Sequence, residues 1–151
     1  MNEIITQFIR KQTCANVCGV DEQGKPYCFT CFYAFNSKKG LLYFKSSAGS
    51  NHSAFLKINP FVAGTILPDK LNTLLVKGIQ FDGIVLEAGH ATAVQASAFY
   101  YKQFPMALAV PGEIRVIQIN HIKMTDSKMG FGKKIIWVRD EEAMSMEHAH
   151  K

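Results

Sequence analysis

No apolar run in this 151-residue sequence approaches the length that spans a bilayer, and Glu3, Arg10 and Lys11 interrupt its beginning. The chain also lacks internal repeats, low-complexity segments and any linker-like stretch. Because 48% of its residues are hydrophobic, it has enough apolar surface to bury a core. We therefore expect a single soluble, cytoplasmic domain over residues 1–151, with residues 140–151 as a flexible tail.

Common catalytic and nucleotide-binding motifs are absent as well. The string GFGKK at residues 130–134 lacks both the spacing and the following Ser or Thr of a P-loop, and no other glycine cluster fits a dinucleotide fingerprint. No Ser-His-Asp set, carboxylate pair or metal-ligand constellation stands out. The sequence therefore indicates no catalytic acid or base and no metal site.

Acidic residues are few, with 12 Asp and Glu against 17 Lys and Arg, which gives a net charge of +5 and a pI near 9.0. This balance suits an anionic ligand or a nucleic acid. Tyr33, Tyr100 and Tyr101 are aromatic residues of the kind that stack on bases, but no basic stripe is interleaved with them. We expect no nucleic acid and no membrane as partner.

Cysteines number four, namely Cys14, Cys18, Cys28 and Cys31. Cys28 and Cys31 form a C-x-x-C in a string that reads as a strand, where side chains three positions apart point to opposite faces. We therefore predict buried, reduced thiols rather than a metal or redox pair. The H-x-H of His148 and His150 lies in the polar tail and is given no role.

Apolar periodicity predicts a mainly β domain with added helices. An amphipathic helix over roughly the first dozen residues precedes a meander of three strands, with strands at residues 13–20, 27–35 and 41–44. A helix at 51–58, a strand at 61–67 and a long strand at 74–88 follow. Gly78 and Gly83 indicate bends in the long strand, of the kind that curve a sheet into a barrel.

A helix at 91–104, ended by Pro105, leads to a strand from Glu113 and a last strand ending at Trp137 and Arg139. About six antiparallel strands with two inserted helices predict a small closed or partly open barrel.

Residues 40–61 carry the strongest functional signal. An apolar strand runs into a polar segment that contains Lys45, Ser46 and Ser47, and Ser50 then caps a helix that begins with Asn51 and His52. A helix N-terminus ringed with hydroxyls and a histidine is a site for a phosphate monoester. The alternative is an ordinary capped helix after an ordinary strand.

The order of these segments resembles the FMN-binding split-barrel superfamily of pyridoxamine 5′-phosphate oxidase. The strings VAGT, GIQFDG and FGKKIIWVRD are similar to those of a small group of bacterial proteins within it. The resemblance covers nearly the whole chain. It implies a six-stranded antiparallel Greek-key barrel and a homodimer that holds FMN in a cleft at the interface.

By position, the superfamily's phosphate loop falls on Ser46, Ser50, Asn51 and His52, with the last two in place of an arginine and a lysine. Its arginine-bearing second strand corresponds to the neutral region around Thr30. Lys45 and His52 would offset part of that lost charge.

The resemblance also places Gln80 beside the isoalloxazine ring, and Trp137 and Arg139 near cofactor and substrate. A solvent-facing Gln80 and a core Trp137 are the alternatives. The oxidase's C-terminal substrate motif is incomplete. These features predict an FMN-dependent oxidoreductase of unknown substrate, or alternatively a non-catalytic binding or sensor protein for FMN or a related phosphorylated or tetrapyrrole ligand.

Overall fold

The computed structural model describes residues 1–47, 49–130 and 133–139. No helix in these ranges is long and apolar enough to cross a membrane. The elements are, in chain order, α1 (Glu3–Lys11), β1 (Cys14–Val20), β2 (Pro26–Asn36), β3 (Leu41–Ser46), α2 (Asn51–Ile58), β4 (Phe61–Ile66), β5 (Lys77–Leu86), α3 (Ala96–Gln103), β6 (Glu113–Asp126) and β7 (Lys134–Val138). Short 3₁₀ turns lie at Ala91–Ala93, Pro105–Ala109 and Ser127–Met129.

Six strands close into an antiparallel barrel in the order β3-β2-β1-β4-β5-β6, because β3 also pairs with β6. This confirms the predicted mainly β barrel. β6 is 14 residues long and pairs with β3, β5 and β7, so that β7 extends the sheet outside the closed ring. The closed ring brings the end of β3 beside the start of β6, where Ser46 pairs with Glu113.

β3 is buried on both faces. Leu42 and Phe44 point into the main core inside the barrel, whereas Leu41 and Tyr43 join a second apolar cluster with Tyr100 of α3. α1 contributes its amphipathic face to the main core through Ile5, Phe8 and Ile9. A strand that is buried on both faces has apolar residues at successive positions, and the sequence LLYF at residues 41–44 shows this pattern.

Two predicted segments differ from the structure. The long strand begins at Lys77 rather than at residue 74, and its register against β6 shifts between Asp82 and Gly83. At that bulge a β-carbon on Gly83 would lie 2.3 Å from the carbonyl oxygen of Gln118, so the close strand approach requires glycine. The predicted helix at 91–104 divides into a 3₁₀ turn and the shorter α3, and the His90 ring caps the turn by accepting the Thr92 N–H.

Candidate functional site

Hydroxyl and imidazole groups meet where β3 gives way to α2. The Ser46 hydroxyl at the end of β3 lies 2.9 Å from Nε2 of His52 and 3.2 Å from the Ser50 hydroxyl. The Ser50 hydroxyl is itself 3.1 Å from the same imidazole nitrogen, and Ser46 donates to the Ser53 hydroxyl at 3.4 Å. Three residues of the predicted phosphate loop, Ser46, Ser50 and His52, are therefore in direct contact. We call these residues, with Ser53, the serine–histidine cluster.

Arg115 adds a buried cation that the sequence reading did not include. Its backbone pairs with Phe44 across the β3–β6 ladder, and its Nη2 donates to the Ser53 hydroxyl at 3.2 Å. The side chain is only 8% exposed, and its Nε has no hydrogen-bond partner among the described residues. The Glu113 carboxylate lies 3.5 Å from Nη2, on a side chain that is 60% exposed. The Arg115 charge is thus buried with incomplete compensation.

His52 is held from its other side by an aromatic ring. Phe29 of β2 stacks on the imidazole, with the two ring centroids 4.0 Å apart. Burial lowers the pKa of His52 below its ordinary value, and the nearby Arg115 charge lowers it further. The imidazole is therefore neutral at physiological pH in this state, which leaves Arg115 as the permanent charge of the site.

The N-terminus of α2 faces this cluster without a side-chain cap. Ser50 occupies the predicted N-cap position, but its hydroxyl donates to the Ser47 carbonyl at 2.8 Å and accepts no bond from a helix N–H. The first turn also carries no acidic residue. The positive end of the helix dipole is therefore not offset by a carboxylate from within the helix.

Lys45 lies on the opposite face of β3, as successive residues of a strand must. Its ammonium group donates to the carbonyls of Ala107, at 2.5 Å, and Val110, and it lies over the Tyr101 ring. Lys45 thus anchors the segment after α3, away from its strand neighbour Ser46. Ser47 contributes its carbonyl rather than its hydroxyl to the cluster.

The remaining predicted ligands do not contact the cluster through any bond described for them. Thr30 donates to Asn16 on the neighbouring strand at 2.7 Å, and Gln80 and Asn51 are exposed. Their contact with a cofactor stays a prediction.

Trp137 and Arg139 lie near the turn that precedes β3. Trp137 is 8% exposed and belongs to the main core, and the Arg139 guanidinium is 5.5 Å from the centre of its ring. Arg139 also donates to the carbonyls of Ile119, Lys39 and Gly40 at 2.8–3.0 Å. These contacts tie β7 to β6 and to the turn, and a role next to cofactor or substrate stays a prediction.

The fold is that of the pyridoxamine-phosphate-oxidase-like split barrels. The chain superposes on a heme-binding protein from Mycobacterium smegmatis with a TM-score of 0.72 and 12% identity, covering 87% of this chain and 55% of that one. A FAD-binding protein from Mesorhizobium loti superposes with a TM-score of 0.65 and 14% identity, covering 83% of this chain and 95% of that one. The chain also superposes on a pyridoxinephosphate oxidase family protein from Clostridium acetobutylicum that is related to general stress protein 26. The TM-score is 0.63 and the identity 14%, covering 91% of this chain and 94% of that one.

Sequence relatives identify the particular family. A UPF0306 protein of Photorhabdus laumondii is 35% identical over 137 residues, which cover 91% of this chain and 95% of the relative. A UPF0306 protein of Yersinia enterocolitica is 34% identical over 141 residues, covering 91% and 93%. The chain belongs to the UPF0306 family. No family model matches it.

Proposed function

We propose that this protein binds FMN through the serine–histidine cluster and Arg115, and acts as a flavin-dependent oxidoreductase. The observation that carries the proposal is the buried Arg115 guanidinium, whose partners among the described residues are a hydroxyl and one exposed carboxylate 3.5 Å away, while its Nε has none. A buried cation of this kind favours an anion that hydrogen-bonds to it. The bound flavin would supply hydride transfer, and the protein would supply position and electrostatics.

The residue types fit a phosphate monoester. Three serine hydroxyls supply rotatable donors, Arg115 supplies a permanent charge, and the N-terminus of α2 adds partial positive charge. Arg115 takes over the role of the cations that Asn51 and His52 replace in the superfamily loop. The hydroxyls bond to one another in the ligand-free protein, so binding exchanges neutral hydrogen bonds for stronger charge-assisted ones.

His52 supplies a second, conditional charge. In the ligand-free protein its pKa is lowered by burial and by Arg115. A dianionic phosphate beside Nε2 offsets both effects and favours the imidazolium, so binding takes up a proton. Phe29 keeps the imidazole in place in either protonation state.

A second candidate is a binding or sensor protein without turnover, for FMN or for a related phosphorylated or tetrapyrrole ligand. The structural similarity to the heme-binding protein from Mycobacterium smegmatis is the reason to include a tetrapyrrole among the ligands tested. The incomplete C-terminal substrate motif also supports binding without turnover.

We further propose that the protein is a homodimer with the cofactor cleft at its interface. An apolar groove runs between β2 and the segment after α3, lined by Phe32, Phe104 and Met106 among others. Phe32 is 57% exposed and Met106 is 83% exposed, and burying such side chains stabilises association. Light scattering should give about twice the chain mass of 16.9 kDa. A monomer at micromolar concentration would contradict this assembly.

One set of measurements tests the ligand. FMN, riboflavin and heme are each titrated into the ligand-free protein, with flavin fluorescence and heme absorbance as the readouts. We expect FMN to bind more tightly than riboflavin, because riboflavin lacks the phosphate. Equal affinity for the two flavins would show that the phosphate does not contribute to binding. Tight heme binding without flavin binding would favour the second candidate. Oxidation of a reduced nicotinamide by the FMN-loaded protein separates turnover from binding alone.

A further inference from the structure

Cys18 and Cys28 lie directly opposite each other on neighbouring strands. Cys18 is in β1 and Cys28 in β2, and they form one residue pair of the antiparallel ladder. The sequence had directed attention to Cys28 with Cys31 instead, because sequence spacing does not reveal cross-strand partners.

The backbone separation of such a pair suits a disulfide. Directly opposite residues of an antiparallel ladder have α-carbons about 4.5 to 5.5 Å apart, within the range of about 4.4 to 6.8 Å that disulfides span. Their side chains leave the sheet on the same face. The α-carbon separation expected of this pair is therefore compatible with a disulfide.

The other two cysteines are placed differently. Cys31 is buried in the main core, as predicted from alternation, and Cys14 pairs with Phe32 across the ladder. Cys28 is exposed, and Cys14 and Cys18 are half-buried, so the prediction of buried thiols is wrong for these three. Among the described residues, no group of three or more His, Cys, Asp or Glu side chains is placed to hold a metal ion. A metal site would need further ligands beside the Cys18–Cys28 pair.

We propose that Cys18 and Cys28 form a reversible dithiol–disulfide site on the outer face of the barrel. The oxidant is a low-mass disulfide such as glutathione disulfide. The Cys28 thiolate attacks it, forming a mixed disulfide and releasing one thiol, and the Cys18 thiolate then displaces the second thiol as the Cys18–Cys28 bond forms. The two thiol protons and two electrons of the protein end on the two released thiols.

The exposure of the two thiols sets the order of attack. Cys28 is the more accessible sulfur. The hydrogen bond with Cys28, burial and the Cys28 charge raise the pKa of Cys18 to about 11, so Cys18 stays protonated while Cys28 is a free thiol. Once Cys28 is capped by the mixed disulfide, the contribution of its charge is gone and Cys18 is a better nucleophile.

The two cysteines lie on the face of β1 and β2 opposite to the one that contacts α2, the helix that carries His52. Cys28 is flanked by Tyr27, whose ring packs edge-on against Phe55 of α2 at 5.5 Å, and by Phe29, which stacks on His52. Oxidation cross-links the strand pair that supports both contacts. The disulfide removes conformational freedom from the unfolded chain, so the oxidised protein should have a higher Tm that a reductant reverses.

The test is oxidation of the ligand-free protein with glutathione disulfide, followed by intact-mass analysis and alkylation of the remaining thiols. We expect the mass to fall by two hydrogen atoms, with Cys14 and Cys31 still alkylated. Cleavage after Glu22 separates a peptide that carries Cys14 and Cys18 from one that carries Cys28 and Cys31, and fragmentation of the disulfide-linked peptides assigns the bond. Cys14→Ser and Cys31→Ser serve as matched controls and should still form the bond.

Cys18→Ser and Cys28→Ser should not form it, and Cys18→Ser should instead keep one glutathione on Cys28. Circular dichroism establishes that each variant is folded. A stable glutathione adduct on the parent protein without cyclisation would overturn the proposal. A bond between two chains, or between Cys28 and Cys31, would overturn it too.

Discussion

The imidazole of His52 stacks on the phenyl ring of Phe29, with ring centroids 4.0 Å apart and ring planes only 13° from parallel. This contact joins the start of α2 to β2 and aims Nε2 at the hydroxyls of Ser46 and Ser50. The second strand of the oxidase superfamily carries an arginine in this region. In this protein the strand supplies an aromatic support for a titratable ring, and under the proposed function Arg115 of β6 supplies the permanent cation.

Arg115→Met should weaken FMN binding by about 1.5 to 3 kcal/mol, the range for a hydrogen bond to a charged group. The free energy of unfolding of the ligand-free protein should stay unchanged or rise, because the substitution removes an incompletely compensated buried charge. Fluorescence titration and denaturant unfolding give the two numbers. Arg10→Met, which removes an exposed arginine of α1, controls for net charge. Parallel losses of affinity and stability would mean that Arg115 is only structural.

Lys45→Met should leave FMN affinity unchanged, because the ammonium group bonds to the carbonyls of Ala107 and Val110 on the far face of β3. The loss of these bonds should lower the free energy of unfolding by about 1 to 2 kcal/mol. Fluorescence titration measures the affinity, and denaturant unfolding measures the stability. A loss of affinity as large as that of Arg115→Met would place Lys45 in the phosphate site.

The ligand-free protein should lose stability in mild acid through His52. Its folded-state pKa lies below the ordinary value near 6.5, so between these two values the unfolded chain binds more protons than the folded one. The free energy of unfolding therefore falls as pH drops through this window. His52→Gln should remove that part of the slope. Denaturant unfolding at several pH values below 7 measures it, and identical slopes for parent and variant would show an unperturbed histidine.

The helix and strand around the site could be predicted from short stretches of sequence. The predicted helix at 51–58 has the observed bounds Asn51–Ile58, because a polar loop precedes it and Pro60 follows it. The alternation of side chains along a strand also separates Lys45 from Ser46, although composition alone had grouped them.

Arg115 was missed because its place depends on a contact between distant parts of the chain. In the string EIRVIQI it reads as an ordinary polar position of an alternating strand. Only the pairing of β6 with β3, which closes the barrel, brings it next to Ser53. The sole local signal is an arginine between Ile114 and Val116. Similarly, the partner of Cys28 could be recognised only from the register of β1 against β2.

FMN affinity should weaken as pH rises from about 6 to about 9, because binding raises the pKa of His52. In the ligand-free protein that pKa is below its ordinary value, and beside the phosphate it is higher, so affinity is lost as pH climbs through the bound-state pKa. His52→Ala should weaken binding by about 1.5 to 3 kcal/mol at the acidic end and flatten the pH dependence. Titrations of parent and variant at several pH values measure both effects.

Two features separate this effect from other titrations. The phosphate itself has a pKa near 6, but its protonation affects parent and variant alike, and so does the constant charge of Arg115. His52→Arg replaces the conditional charge by a permanent one, so it should restore affinity and leave it independent of pH above about 7. If His52→Ala binds FMN as tightly as the parent over the whole range, the imidazole does not contact the phosphate. Arg115 and the α2 N-terminus would then have to hold the anion without it.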